Sequence, residues 1–166
     1  MRLEQWDIAE TIILEDQTMQ LIGAGVRSMF ILKPYVLAFY STTKFDDYND
    51  VIASDQPKCM QLIINSEMIN ASMIVMGLKE GLNRTTYGQM PELKARFDHM
   101  FGLLSEFTIQ KGDRVDLYAN GKEELLVYLN GEQQFKENDS NVIKAIFGIW
   151  FSEAFDRKLR NSLLGR

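Results

Sequence analysis

The run Gly23-Ala24-Gly25-Val26-Arg27 places one guanidinium behind two residues that lack a Cβ atom, and the longest apolar stretch of the chain follows it. A planar, bidentate donor at the mouth of a buried segment suits recognition of a carboxylate. Glycine permits either a sharp turn or the close approach of another backbone or a ligand. We read the run as a glycine corner that presents Arg27 as a ligand-contacting residue. The run is superficially like a dinucleotide fingerprint, but Ser28 stands at the third glycine position and a strand-like segment containing Pro34 follows. That fingerprint needs a helix there, whose N-terminus would take the pyrophosphate. Dinucleotide binding is therefore rejected.

Other residues capable of chemistry are sparse. His99 is the only histidine and lies in a helical pattern beside Phe97, Met100 and Phe101; a metal centre needs several such ligands, so a packing or surface role is expected and no metal. Cys59 is the only cysteine, which excludes an intrachain disulfide, and its apolar setting marks it as an inert, buried small hydrophobe. Asp46, Asp47 and Asp50 lack calcium-loop spacing and read as a solvated face. No serine sits in a nucleophile elbow. The nine methionines are more informative, because Met68, Met73, Met76, Met90 and Met100 fall in or beside two helices expected mid-chain. Thioethers there fill a core or line an adaptable apolar cavity. No cofactor is implied.

These residues belong to a chain of 166 residues, read as one domain over 1–166, with 46% hydrophobic and 25% charged residues, as in ordinary globular proteins. No stretch approaches the ~18 apolar residues of a membrane helix, so no membrane span is expected. The net charge of −5 comes from interspersed acids and bases without a basic stripe, which argues against nucleic acid and leaves a small apolar or anionic ligand as the expected partner. The start, MRLEQWDIAE, has neither the apolar core nor the cleavage pattern of a secretory leader. As the chain stands it is expected to be cytoplasmic, or periplasmic if a leader was removed.

The elements that must position Arg27 follow from periodicity. Thr11 to Leu14 and Thr18 to Ile22 are two strands around the polar break Glu15-Asp16-Gln17, and Met29 to Tyr40 is a buried strand in which Pro34, lacking a donor, implies an edge or a bulge and a kink. A short surface helix lies between Ser41 and Asp55, and Lys58 to Ile64 is another buried strand. A helix capped at Asn65-Ser66 runs to about Asn83 with Met68, Ile69, Ser72, Met73, Met76 and Leu82 on or near its apolar face. Pro91 opens the next helix, with Leu93, Phe97, Met100, Phe101 and Leu104 as its stripe. Alternation from Val115, with Asn-Gly at 120–121 and 130–131, gives a three-stranded meander ending at Phe135. Asp139 or Ser140 caps an apolar helix through Trp150, and Asp156 starts a last helix closed by Gly165. This order predicts an α+β domain, helices gathered on one side of a largely antiparallel sheet.

The Gly-x-Gly-x-Arg run with LKPYVLAFY (32–40), then Lys111-Gly112-Asp113, Asn130-Gly131 and the ending AIFGIWFSEAFDRKLRNSLLG (145–165) occur in one order. In that order they resemble the chalcone isomerase superfamily, specifically its bacterial chalcone isomerase-like branch. The resemblance implies an open-faced β-sandwich, a large antiparallel sheet covered by a helical layer with a ligand cleft between. It implies that Arg27 matches the arginine that stabilises the attacking phenolate in the plant enzymes, and that their strand threonine falls near Tyr35. Their helical tyrosine has no counterpart in Glu67 to Asn70, and their later polar residue falls near Ala145 and Ile146, both apolar. Removing one donor from such a network costs about 2.7–4 kcal/mol of transition-state stabilisation, so no useful chalcone isomerase activity is expected. Superfamily members without catalysis include fatty-acid-binding proteins in which an arginine holds the carboxylate. The expectation is thus a non-catalytic protein that binds a small apolar anion such as a fatty acid. Arg27 is its anchor, Tyr35 a hydrogen-bonding partner, and Ile69, Met73 and Ile146 are walls. The alternative is an isomerase or intramolecular lyase acting on an enone or related substrate, with Arg27 catalytic.

Overall fold

A computed structural model describes residues 1–29 and 32–166. A small hairpin, β1 (Arg2–Leu3) and β2 (Trp6–Asp7), precedes β3 (Thr11–Leu14), β4 (Gln17–Met29), β5 (Leu32–Ser41), β6 (Lys58–Ile64), β7 (Arg114–Ala119), β8 (Glu124–Leu129) and β9 (Glu132–Asn138). The strands β3 to β9 form one antiparallel sheet in sequence order. Short turns join β3 to β4, β7 to β8 and β8 to β9. Leu14 pairs with Gln17 and Leu129 with Glu132, which leaves two-residue loops at Glu15-Asp16 and Asn130-Gly131, all four residues at positive φ as this turn family requires. The sheet curls so far that Asn120, at the end of β7, donates to the Glu15 carboxylate at 3.2 Å across the concavity.

Helices α1 (Tyr48–Ala53), α2 (Ala71–Leu82) and α3 (Lys94–Ser105) fill the long connections, α4 (Ser140–Gly148) and α5 (Arg157–Leu163) follow the last strand, and together they cover one face. Under them, alternate strand residues such as Leu37, Phe39, Met60, Leu62, Leu117 and Val127 make the main core. The architecture is the α+β, sheet-and-helical-layer arrangement expected. The opposite face is also filled, by Tyr40, Cys59, Tyr118, Leu126 and others beneath the N-terminal hairpin. There Asp116 is buried, accepting from Gln61 Nε2 at 2.9 Å, and burial raises its pKa above the usual carboxylate value. Cys59 is fully buried beside it, its thiol held well above the ordinary range by burial first and by Asp116 next. Lys58 is buried too, donating to the Val51 and Ser54 carbonyls at the end of α1 (2.5 and 2.8 Å). Desolvation pushes its pKa down to about 8.

Four local expectations need correction. There is no glycine corner: Gly23, Ala24 and Gly25 lie inside the continuous 13-residue strand β4. The helix expected from Asn65 begins at Ala71, where Asn70 accepts from the Met73 N–H at 3.0 Å, because Ser66 caps only a short turn. Its buried side carries Ala71, Ile74, Val75, Leu78 and Leu82, while Met68 and Met76 are exposed, so the stripe is rotated from the one expected. The meander runs on to Asn138. Pro34 lies in an interior strand, opposite a register irregularity between Arg27 and Met29, which relieves its missing donor. Phe30 and Ile31, placed in that strand by the sequence reading, lie outside the described residues.

Candidate functional site

The glycines of β4 exist for α5. Gly23, Gly25 and Arg27 alternate onto the helical face, opposite Phe39, Leu37 and Tyr35 respectively. A Cβ at Gly23 would stand 2.7 Å from the Gly165 backbone nitrogen and collide with the Ser162 carbonyl; one at Gly25 would strike the Leu159 methyl. The helix thus rests directly on bare strand. Two residues further along, its approach segment sets Phe155 under the Arg27 guanidinium, 5.2 Å from ring centroid to Cζ. Arg27 is half-buried, emerges where the strand leaves the shelter of α5, and forms no ion pair with a carboxylate among the described residues.

Register then puts Tyr35 directly across from Arg27 on β5. Tyr35 is 7% exposed. Burial raises its phenol above the ordinary value of 10, while Arg27, the indole of Trp150 and, more weakly, Arg84 favour the ionised form without overcoming it. The Trp150 N–H lies near enough to favour the phenolate without being hydrogen-bonded to it. It is itself buried without an acceptor. Donors therefore converge at this point, and among the described residues no carboxylate pairs with Arg27.

Above them opens a cavity of about 300 Å³ between β4, β5 and α2. Arg27 and Tyr35 stand at its sheet side, and Ile69, Met73, Ile74 and Met76 form most of its helical wall. Tyr35, Ile69 and Ile74 are buried while Met73 and Met76 are exposed, so the cavity deepens from a mouth beside the two methionines to a floor that carries the Tyr35 hydroxyl. Of the five residues singled out in the sequence, four line it. Ile146 does not: it is 1% exposed in the core side of α4. The sequence reading missed Arg84 and Glu80, which complete the rim. Helical phase was the available signal, since 73, 77, 80 and 84 recur at the i, i+4, i+7, i+11 spacing of one face. His99 is exposed on α3, and no cluster among the described residues is able to hold a metal. No helix is long and apolar enough to cross a membrane.

Comparison with known proteins agrees with this architecture. A family model described as chalcone isomerase-like matches residues 1–165. Among solved structures, the fatty-acid binding protein of Arabidopsis thaliana superposes with a TM-score of 0.71 at 16% identity, covering 93% of this chain and 96% of that one. No curated protein sequence matches.

Proposed function

This chain belongs to the chalcone isomerase-like family, and we propose that it binds a small apolar monoanion, a fatty acid in kind, without catalysing a reaction. The observation that carries the proposal is the polar floor of the cavity. Arg27 has no carboxylate partner among the described residues and faces the Tyr35 hydroxyl beneath apolar walls. Ligand pockets have this composition, a few placed polar groups within an apolar lining. The plant protein with the same fold is a fatty-acid binding protein, which supports the choice of ligand. Arg27 would hold the carboxylate, Tyr35 would donate to it, and Ile69 and Met73 would contact the chain. Within the family, the order of the short motifs supports the bacterial branch.

Calorimetric titration of delipidated protein with sodium decanoate tests this. A charged hydrogen bond is worth about 1.5–3 kcal/mol, so Arg27→Ala should weaken binding by roughly 10- to 150-fold, and Tyr35→Phe by less. Equal affinity in Arg27→Ala, with its fold intact by circular dichroism, would sink the proposal. The isomerase alternative rests on Tyr35, whose hydroxyl lies beside two donors, Arg27 and Trp150. It predicts cyclisation of a chalcone, followed by absorbance, that Tyr35→Phe abolishes; we expect no turnover.

A further inference from the structure

A second, smaller cavity lies under the same helix. It holds about 10 Å³, space for roughly one water. All ten of its lining residues are apolar, Leu62, Leu78, Leu104, Phe107 and Val115 among them, so it offers a water no partner. One residue lines both cavities: Ile74, 6% exposed. On α2, Met73 and Gly77 turn toward the larger space and Ala71, Val75 and Leu78 toward the smaller, with Ile74 between the two sets. The larger cavity meets the sheet at β4 and β5, the smaller at β6 and β7. A line from Arg27 past Ile74 therefore runs beneath α2 across the strands, polar only at its start.

We propose that Ile74 sets the length of ligand this protein accepts. This rests on the binding function proposed above and narrows the ligand to an anion with one aliphatic tail. The carboxylate sits at Arg27 and the tail ends against the Ile74 side chain, with the small apolar cavity on its far side. Polar tails are disfavoured, since among the side chains that line the two cavities only Arg27, Tyr35 and the rim residues Glu80 and Arg84 can hydrogen-bond to them. Gly77 supplies an independent handle. A Cβ added there meets nothing within 4 Å, so a larger side chain enters the cavity without displacing backbone.

The test is titration of the purified protein with sodium carboxylates from hexanoate to hexadecanoate, each below its micellar concentration. In the wild type each added methylene should tighten binding about fourfold until the tail reaches Ile74, and then not at all. Ile74→Ala joins the cavities and should move that break to chains at least two carbons longer, leaving short-chain affinity nearly unchanged; Ile74→Val should move it less in the same direction. Gly77→Leu should move it to shorter chains. An unbroken trend in the wild type, or a break that stays put in folded Ile74→Ala or Ile74→Val, overturns the assignment of Ile74 while leaving carboxylate binding in place. Failure of every carboxylate to bind, with Arg27→Ala no different, overturns the binding function itself and this inference with it.

Discussion

Replacing Gly23 with alanine should be among the most damaging single-methyl additions in this protein. The new Cβ would overlap the Ser162 carbonyl oxygen and sit 2.7 Å from the Gly165 nitrogen and 2.8 Å from the Leu163 carbonyl carbon, all of them backbone atoms. No side-chain rotation relieves the clash, so α5 must lift. That helix and its C-cap bury Leu159, Leu163 and Leu164, each worth about 1.5–3 kcal/mol when fully buried. Even partial lifting should cost about 3 kcal/mol or more. Gly25→Ala is the internal control. Its Cβ would meet the Leu159 Cδ1 at the end of a flexible side chain, a collision that rotation relieves, at about 1–2 kcal/mol. Urea unfolding resolves the two, because a loss of 3 kcal/mol moves the midpoint by roughly 1–3 M. Lifting α5 also withdraws Phe155 from Arg27, so Gly23→Ala should weaken decanoate binding as well as the fold. If Gly23→Ala were no less stable than Gly25→Ala, the reading of these glycines as the seat of α5 would be wrong.

Asp116 gives a pH dependence of opposite sign to most carboxylates. Its folded-state pKa is raised by burial above the ordinary 3.8, so its stabilising contribution is full below the unfolded value and is lost as pH rises through the folded one. Asp116→Asn removes the charge and keeps an acceptor for Gln61. It should match or exceed wild-type stability at pH 7.5 and gain nothing at pH 4; a lower urea midpoint at pH 7.5 would contradict the assignment. Asp156 caps α5, accepting from the Leu159 N–H at 3.0 Å, and Asp156→Ala should cost about 1 kcal/mol by the same measurement, an unchanged midpoint counting against the cap.

Much of the fold was legible because its signals are local and redundant. The period-two runs from Val115 onward alternate between two faces that are both buried, and Asn130-Gly131 turns where its residues tolerate positive φ. Asp139 and Asp156 cap the helices that follow them, as their positions suggested. What misled was Gly23-Ala24-Gly25. A glycine pair has the same appearance whether it bends the chain or admits a neighbour, and the neighbour here is more than 130 residues away in sequence. The start of α2 was similarly ambiguous, since Ser66 and Asn70 both cap, Ser66 a short turn and Asn70 the helix itself.

The candidate site was legible on the same terms. Arg27 and Tyr35 meet because two adjacent antiparallel strands place them in register, and Met73 lines the same cavity from α2. Ile146 is equally apolar and equally well placed in a helical stripe, yet its helix buries Val142, Ile143, Ala145, Ile146 and Phe147 almost all round. Periodicity cannot separate a wall from a core there. The distribution of polar groups that results bears on function. Ring closure of an enone needs donors wherever charge develops along the reacting skeleton, whereas a fatty acid needs them at one end only. In this cavity the charged and hydroxyl groups stand at the floor and the rim, and the space from Tyr35 to Ile74 and beyond is hydrocarbon. That asymmetry favours a single-headed ligand over a polyphenolic one, because each hydroxyl placed along the apolar stretch would lose its hydrogen bonds to water and gain none in return.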